Sequence, residues 1–273
     1  MPAARRGFLR VGAGRIEYIS FTLGAQSTKA ARNRPTLVFL HEGLGCCEQW
    51  RDFPAVVAAG TGHDAFVYSR PGYGSSDRVS PMVSTRYMHD EALQTLPQVL
   101  RAARVNEHIL IGHSDGASIA IIYAGGSDAP GLHGLVLIAP HVFVEPFTLT
   151  SISAARETFE KGDLKARIQR WHGENTDFAF YRWSGSWLDP EFRHWNIEEY
   201  LPRVKVPTLV IQGEQDEYAT KAQVEAVERK VGGPVRAVLL ANCGHHPQRD
   251  QPQATVDEIT AFVKSLEGAG KPA

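Results

Sequence analysis

The stretch Ile111–Ser118, IGHSDGAS, centres a Gly-x-Ser-x-Gly pattern on Ser114 and continues directly from an apolar run. A strand ending at His113 and a helix starting near Gly116 leave almost no loop. The chain must reverse at the serine, in sparsely populated backbone angles and with neighbouring segments close by. Gly112 and Gly116, with Ala117 after them, are the small residues such a reversal needs. The turn lifts the Ser114 hydroxyl above the strand ends, beside a helix N-terminus whose free N–H groups favour developing negative charge. Helix capping is the plainer alternative, since Ser and Asp are both favoured there. In a chain of this composition the pattern arises by chance in roughly one case in ten, so the surrounding sequence has to decide.

Around it, strand-like and helix-like segments alternate. PTLVFLH (35–41), DAFVYSR (64–70), EHILIGH (107–113), LHGLVLIA (132–139), VPTLVIQG (206–213) and VRAVLLA (235–241) are apolar runs of strand length. Strands buried on both faces read this way. FLRVGAGRIEYISFT (8–22) reads as two short strands about a Gly turn. Residues 87–103 place Met88, Leu93, Leu96 and Leu100 on one helical stripe, with a kink expected at Pro97. Residues 116–124 are apolar nearly all round, and 222–230 and 255–266 supply two more helices. This repetition predicts a parallel, doubly wound α/β sheet.

Between residue 141 and about 203 the rhythm breaks. No buried strand is evident, yet the stretch holds 12 of the 25 aromatics and four of the five tryptophans: Trp171, Trp183, Trp187 and Trp195. It is expected to form a helical cap (141–203) inserted into a core of residues 1–140 and 204–273. Most of its aromatics would pack cap against core, with Trp183 and Trp187 offering an apolar wall to a ligand. The tail EGAGKPA (267–273) is expected to fray.

Composition narrows the function. At 273 residues, 43% hydrophobic and 22% charged, the chain suits one large domain or a domain with an insertion. The net charge of −1, without a long Lys/Arg run, argues against nucleic-acid binding and leaves a small molecule as the expected partner. No apolar stretch approaches the 18 or so residues of a membrane span. ARRGFLRVGAG resembles a twin-arginine export signal, but Arg10, Arg15 and Glu17 interrupt the apolar stretch that should follow. With three cysteines, two of them adjacent (Cys46 and Cys47, expected to be buried), the expected location is the cytoplasm. Neither the eleven histidines nor Gly12–Gly14 and Gly72–Gly74 form a metal or dinucleotide fingerprint, so no metal or cofactor is expected. A homo-oligomer stays open.

A serine hydroxyl needs a base, and the base an orienting acid. VIQGEQDEYAT places Asp216 in the turn after a buried strand, and LLANCGHHPQRDQP places His245 just after the last strand. The order Ser114, Asp216, His245 is nucleophile, acid, base. His246 is the rival base and Glu145 the rival acid.

Five motifs, FLHEGLG, RPGYGSSD, GHSDG, GEQDEYA and CGHHPQRDQP, appear in the order of the α/β-hydrolase superfamily, which the chain resembles over nearly its whole length. The Ser-Asp-Gly elbow and the segment WLDPEFRHWNI resemble small esterases of the valacyclovir-hydrolase type. The resemblance implies that Ser114 attacks a carbonyl, His245 relays the proton and Asp216 holds the imidazole. It implies an oxyanion hole from the N–H of Asp115 with that of Gly43, or of Leu44 if the loop is shifted by one. Two departures stand out: Glu42 where the family usually has Gly, and Ser69 where it often has Asp. A Glu42–Arg70 ion pair shaping the oxyanion loop is one expectation, and a solvent-facing Glu42 the other. Asp115 either caps its helix or receives a cationic substrate group.

The reading is a cofactor-free serine hydrolase acting on a small to medium carboxylic ester through an acyl-enzyme. Carbon–carbon (ring-cleavage product), thioester, lactone and amide hydrolysis remain open on the same residues. A non-catalytic ligand-binding protein on the hydrolase fold is the alternative of another class. A serine at the elbow argues against the epoxide hydrolases and dehalogenases of the superfamily, which use a carboxylate there.

Overall fold

The computed structural model describes residues 2–23 and 34–268. Among these residues eight strands form one sheet: β1 (Ala3–Val11), β2 (Gly14–Thr22), β3 (Thr36–Leu40), β4 (Ala65–Tyr68), β5 (His108–His113), β6 (Leu132–Ile138), β7 (Thr208–Gly213) and β8 (Val235–Leu240). Their spatial order is β1-β2-β4-β3-β5-β6-β7-β8. β1 and β2 form an antiparallel hairpin and β2 joins β4 antiparallel; every other pairing is parallel.

The apolar runs follow from burial on both faces. Leu37 and Phe39 of β3 face one core with Ile109 and Ile111 of β5, whereas Val38 and Leu40 face the opposite core with Leu110. Side chains alternate with period two, so a strand covered on both sides must be apolar at every position. Helices α1 (Phe53–Thr61) and α10 (Pro252–Gly268) cover the first face. The second is covered by α2 (Tyr87–Asp90) and α3 (Leu96–Ala103), α4 (Asp115–Gly126) and α8 (Lys221–Lys230). The short α9 (Pro247–Asp250) precedes α10.

β8 departs from the buried-strand reading. It ends the sheet, so among the described residues one flank has no neighbouring strand, and Arg236 and Leu239 are exposed, the latter by 46%. The first hairpin is longer than expected: β1 begins at Ala3 and takes in Arg5 and Arg6. At Pro97 the irregularity sits upstream, where residues Glu91–Thr95 form a π-helical turn between α2 and α3. Proline has no N–H for the carbonyl four residues back and its ring crowds that carbonyl, so the helix widens before it. The frayed-tail expectation falls mostly on 269–273, outside the described residues.

Between β6 and β7 lie three helices, α5 (Pro146–Lys161), α6 (Leu164–His172) and α7 (Thr176–Trp187), followed by two 3-10 turns. Backbone bonds from Ile197 N to Val142 O (2.8 Å) and from Val144 N to Trp195 O (3.2 Å) lace entry to exit. The insertion carries its own aromatic packing, with Phe159 stacked on Phe180 and Phe192 on Trp195. It stands over the carboxyl ends of the strands. There, β3 and β5 are adjacent yet lead to helices on opposite faces, a topological switch point where α/β sheets open a crevice.

Candidate active site

β5 delivers Ser114 to that crevice. Its backbone sits at φ 53°, ψ −118°, a conformation that an L-residue rarely adopts. Close approach enforces it. A Cβ on Gly116 would lie 2.0 Å from the carbonyl oxygen of Leu40, and one on Gly112 would lie 2.3 Å from that of Gly116. The serine N–H is anchored to Ile138 O of β6 at 2.8 Å.

The structure brings Ser114, His245 and Asp216 together. His245 Nε2 lies 2.9 Å from Ser114 Oγ, and Nδ1 lies 2.8 and 3.0 Å from the two oxygens of Asp216. A carboxylate can only accept, so Nδ1 carries the proton and Nε2 is free to accept from the serine hydroxyl. Asp216 is fixed in turn by the N–H groups of Tyr218 (2.8 Å) and Ala219 (3.0 Å). Burial opposes charge on both partners, but their mutual attraction outweighs it: the imidazole pKa is raised and that of Asp216 lowered.

The rivals lie elsewhere. Glu145 accepts from the N–H and hydroxyl of Thr220 and from Gln223 Nε2, at the start of α8. His246 sits beside Glu42 and His113, and burial drives its pKa down to about 2. These three side chains offer ligand atoms within 4.8 Å of one another, but Arg249 already lies 3.5 Å from Glu42 Oε1 and gives that carboxylate a cationic partner. His113 went unnoticed in the sequence: its Nε2 donates to the backbone carbonyl of His245 at 2.7 Å, tying the histidine loop to the end of β5. No local signal points to it, because β5 and β8 are separated in the sheet by β6 and β7.

The loop after β3 is held through one carbonyl. Glu42 O accepts from Gly45 N (3.0 Å), from Arg70 NH2 (2.7 Å) and from His41 Nδ1 (2.7 Å), while His41 Nε2 accepts from Arg70 N (2.9 Å). Burial, then the neighbouring Arg70 charge, push the His41 pKa well below 6.5, which keeps the ring neutral for this double role. In a trans peptide N–H and C=O point oppositely, so fixing the Glu42 carbonyl also fixes the Gly43 N–H. Neither Gly43 N nor Leu44 N has a hydrogen-bond acceptor among the described residues. Asp115 N opens α4 and so lacks an intrahelical acceptor. Trp183 crowds the loop: a Cβ on Gly43 would meet its indole at 2.2 Å.

Two expectations about charge are overturned. Glu42 and Arg70 do meet, but through the glutamate carbonyl. The carboxylate turns away to His113 Nδ1 and Arg249, each at 3.5 Å, because the guanidinium is already committed to the loop backbone and to Asp115. Asp115 is neither a side-chain cap nor open to a ligand. It is fully buried, accepts from Tyr87 OH and from Trp187 Nε1 (3.2 Å), and lies 3.7 Å from the Arg70 guanidinium. Burial raises its pKa despite these partners. Cys46 and Cys47 are buried as expected, the Cys46 thiol pushed up to about 12 by that burial.

A cavity of about 270 Å³ opens between this site and the insertion. Ser114, His245 and Gly43 lie at its base, and Trp183, Trp187 and Trp171 are among its walls. No helix among the described residues is long and apolar enough to cross a membrane.

The fold and this arrangement define an α/β hydrolase. The chain belongs to the alpha/beta hydrolase family, whose model matches residues 37–258. It is 25% identical over 271 residues to epoxide hydrolase 3 of Xenopus tropicalis, covering 85% of this chain and 72% of that relative. It is 27% identical over 207 residues to N-formylmaleamate deformylase of Pseudomonas putida, covering 69% and 75%. Among solved structures, a serine hydrolase involved in carbazole degradation superposes with TM-score 0.74 at 18% identity, over 97% of this chain and 100% of that one.

Proposed function

We propose that the protein is a serine hydrolase that cleaves a small to medium carboxylic ester through an acyl-enzyme. The observation that carries this reading is the relay of 2.9 and 2.8 Å from Ser114 through His245 to Asp216, with the hydroxyl on a strained elbow beneath a cavity.

In this mechanism Ser114 Oγ attacks the ester carbonyl as its proton passes to His245 Nε2. The imidazolium, stabilised by Asp216, returns that proton to the leaving alcohol. The negative oxygen that develops is held by the N–H of Asp115 and that of Gly43, whose direction the triply bonded Glu42 carbonyl sets. One such donor is worth on the order of a hundredfold in rate. Water then repeats the sequence and releases the acid. Trp183 and Trp187 supply apolar wall, and the insertion 141–203 acts as a lid domain over the core.

The reading differs from epoxide hydrolysis, the activity named for one relative. The residue at the strained elbow is a serine, and the adjacent Asp115 carboxylate is buried against Tyr87 and Trp187. A fluorophosphonate probe tests it: wild type should be labelled and Ser114→Ala should not. Equal labelling of both, or of neither, refutes the assignment, and no labelling favours a binding protein.

A further inference from the structure

Charge at the cavity is distributed unlike charge on the rest of the chain. Arg51, Arg167, Arg170 and Arg249 all line it, and the carboxylate facing them is Glu42. The whole chain carries a net charge of −1. The second acidic lining residue, Asp115, has its carboxylate buried beneath the cavity against Tyr87, Trp187 and Arg70.

Pairing varies along the insertion. Arg156, Lys161 and Lys165 have carboxylates at 3.0, 3.1 and 2.8 Å, whereas Arg182, Arg193 and Arg203, which lie off the cavity, have none within 4.0 Å among the described residues. Arg51 and Arg170 have none within 4.0 Å among the described residues, and Arg167 has only the exposed Asp163 at 3.8 Å. The placement is also built in. On α6 the spacing i, i+3, i+4, i+7 puts Leu164, Arg167, Ile168 and Trp171 on one stripe, and all four line the cavity. Arg170 lies over the Trp171 ring at 5.1 Å, held along the wall. Arg51 occupies φ 53°, ψ −127°, an angle pair that a non-glycine residue adopts at an energetic cost. Four arginines around a concavity with apolar walls, two of them (Arg51 and Arg170) without a carboxylate partner among the described residues, focus the potential and draw anions in.

We propose that the substrate is an ester that itself carries an anionic group, a carboxylate or a phosphate. The anion meets Arg51, Arg167 and Arg170 at the mouth, and an apolar segment spans the wall of Ile168 to the carbonyl at Ser114. This rests on the serine-hydrolase reading and adds the substrate class to it.

The test compares 4-nitrophenyl hemiesters of linear dicarboxylic acids with 4-nitrophenyl esters of monocarboxylic acids of equal length. A third arm carries a terminal phosphate in place of the carboxylate and separates the two anions. The better anionic series should show kcat/KM on the order of tenfold higher than the neutral one, mainly through KM, since hydrogen bonds to charged groups are worth about one decade or more. High salt should erode the preference. Arg167→Gln/Arg170→Gln should shrink the anionic-to-neutral ratio towards one, and Arg51→Gln gives a second reading should that variant fold poorly. A ratio near one in wild type overturns the proposal, as does a ratio untouched by these variants and by salt. A binding arm uses Ser114→Ala and reads dissociation constants for the same pairs, independently of turnover. Absence of hydrolysis with tighter anion binding refutes the serine reading alone, whereas equal dissociation constants refute the anionic substrate alone.

Discussion

Asp115→Asn isolates the charge buried behind the elbow. The guanidinium of Arg70 is 2% exposed, and the Asp115 carboxylate, 3.7 Å away, is its nearest counter-charge. Removing one partner of a buried ion pair costs roughly 3–5 kcal/mol, because the other charge stays behind without compensation. Three features put this site at the low end. No direct hydrogen bond joins the pair, Asn keeps an oxygen for the Tyr87 hydroxyl, and the buried Glu91 still offers Arg70 a counter-charge. The expected loss is about 3 kcal/mol, which for a domain of this size lowers Tm by roughly 6–12 °C. Urea denaturation at unchanged m measures it. The companion Arg70→Met strands Asp115 in the same way, so the double variant should fall short of the sum by about 2 kcal/mol. Asp115→Asn within 1 kcal/mol of wild type, or strictly additive losses, would show that no buried charge pair stabilises the elbow.

Two further outcomes follow from the same geometry. His245 must be neutral to accept the serine proton, and Asp216 raises its pKa above the ordinary 6.5, so kcat/KM should climb with pH through a midpoint above that value. In Asp216→Asn the midpoint should move down while the plateau falls by on the order of 10³–10⁴; an unmoved midpoint refutes the coupling. Gly116→Ala puts a Cβ 2.0 Å from Leu40 O, a backbone atom of the central strand that cannot rotate away. It should cost about 3 kcal/mol or more, and a Tm within 2 °C of wild type would show that the elbow has room.

Much of this was legible in the sequence because the governing constraint was local. A strand covered on both faces has no polar position, so Leu37–Leu40 and Ile109–Ile111 announce themselves. β8 is otherwise as apolar, and Arg236 is the one residue within it that hints at the edge position the topology gives it. Ser114, Asp216 and His245 can be picked out because each closes a different parallel strand, and parallel strands share one carboxyl edge. The partners of the buried charges could not be read. Asp115 is satisfied by Tyr87 and Trp187, which are 28 and 72 residues away, and Glu42 by Arg249. Nothing local distinguishes these from the neighbouring Arg70, and a carboxylate takes whichever donor the tertiary fold presents. Trp187 was readable as apolar wall, but not as the donor that its buried indole N–H has to be.

These unreadable contacts converge on one peptide group. Glu42 O holds the direction of the Gly43 N–H, and the cation that binds this carbonyl is Arg70. A guanidinium buried to 2% exposure would not persist without compensating anions, and Asp115 and Glu91 provide them. Asp115 therefore acts on the proposed oxyanion hole twice, through its own N–H and by stabilising the arginine that orients the other donor. Donors fixed before the charge develops need no reorganisation when it does, which is where such a site gains most of its rate. The departure from glycine at position 42 fits the same logic. Orientation comes from the backbone carbonyl, so the side chain is free to face His113 and Arg249, at the border between the relay and the arginines of the cavity mouth.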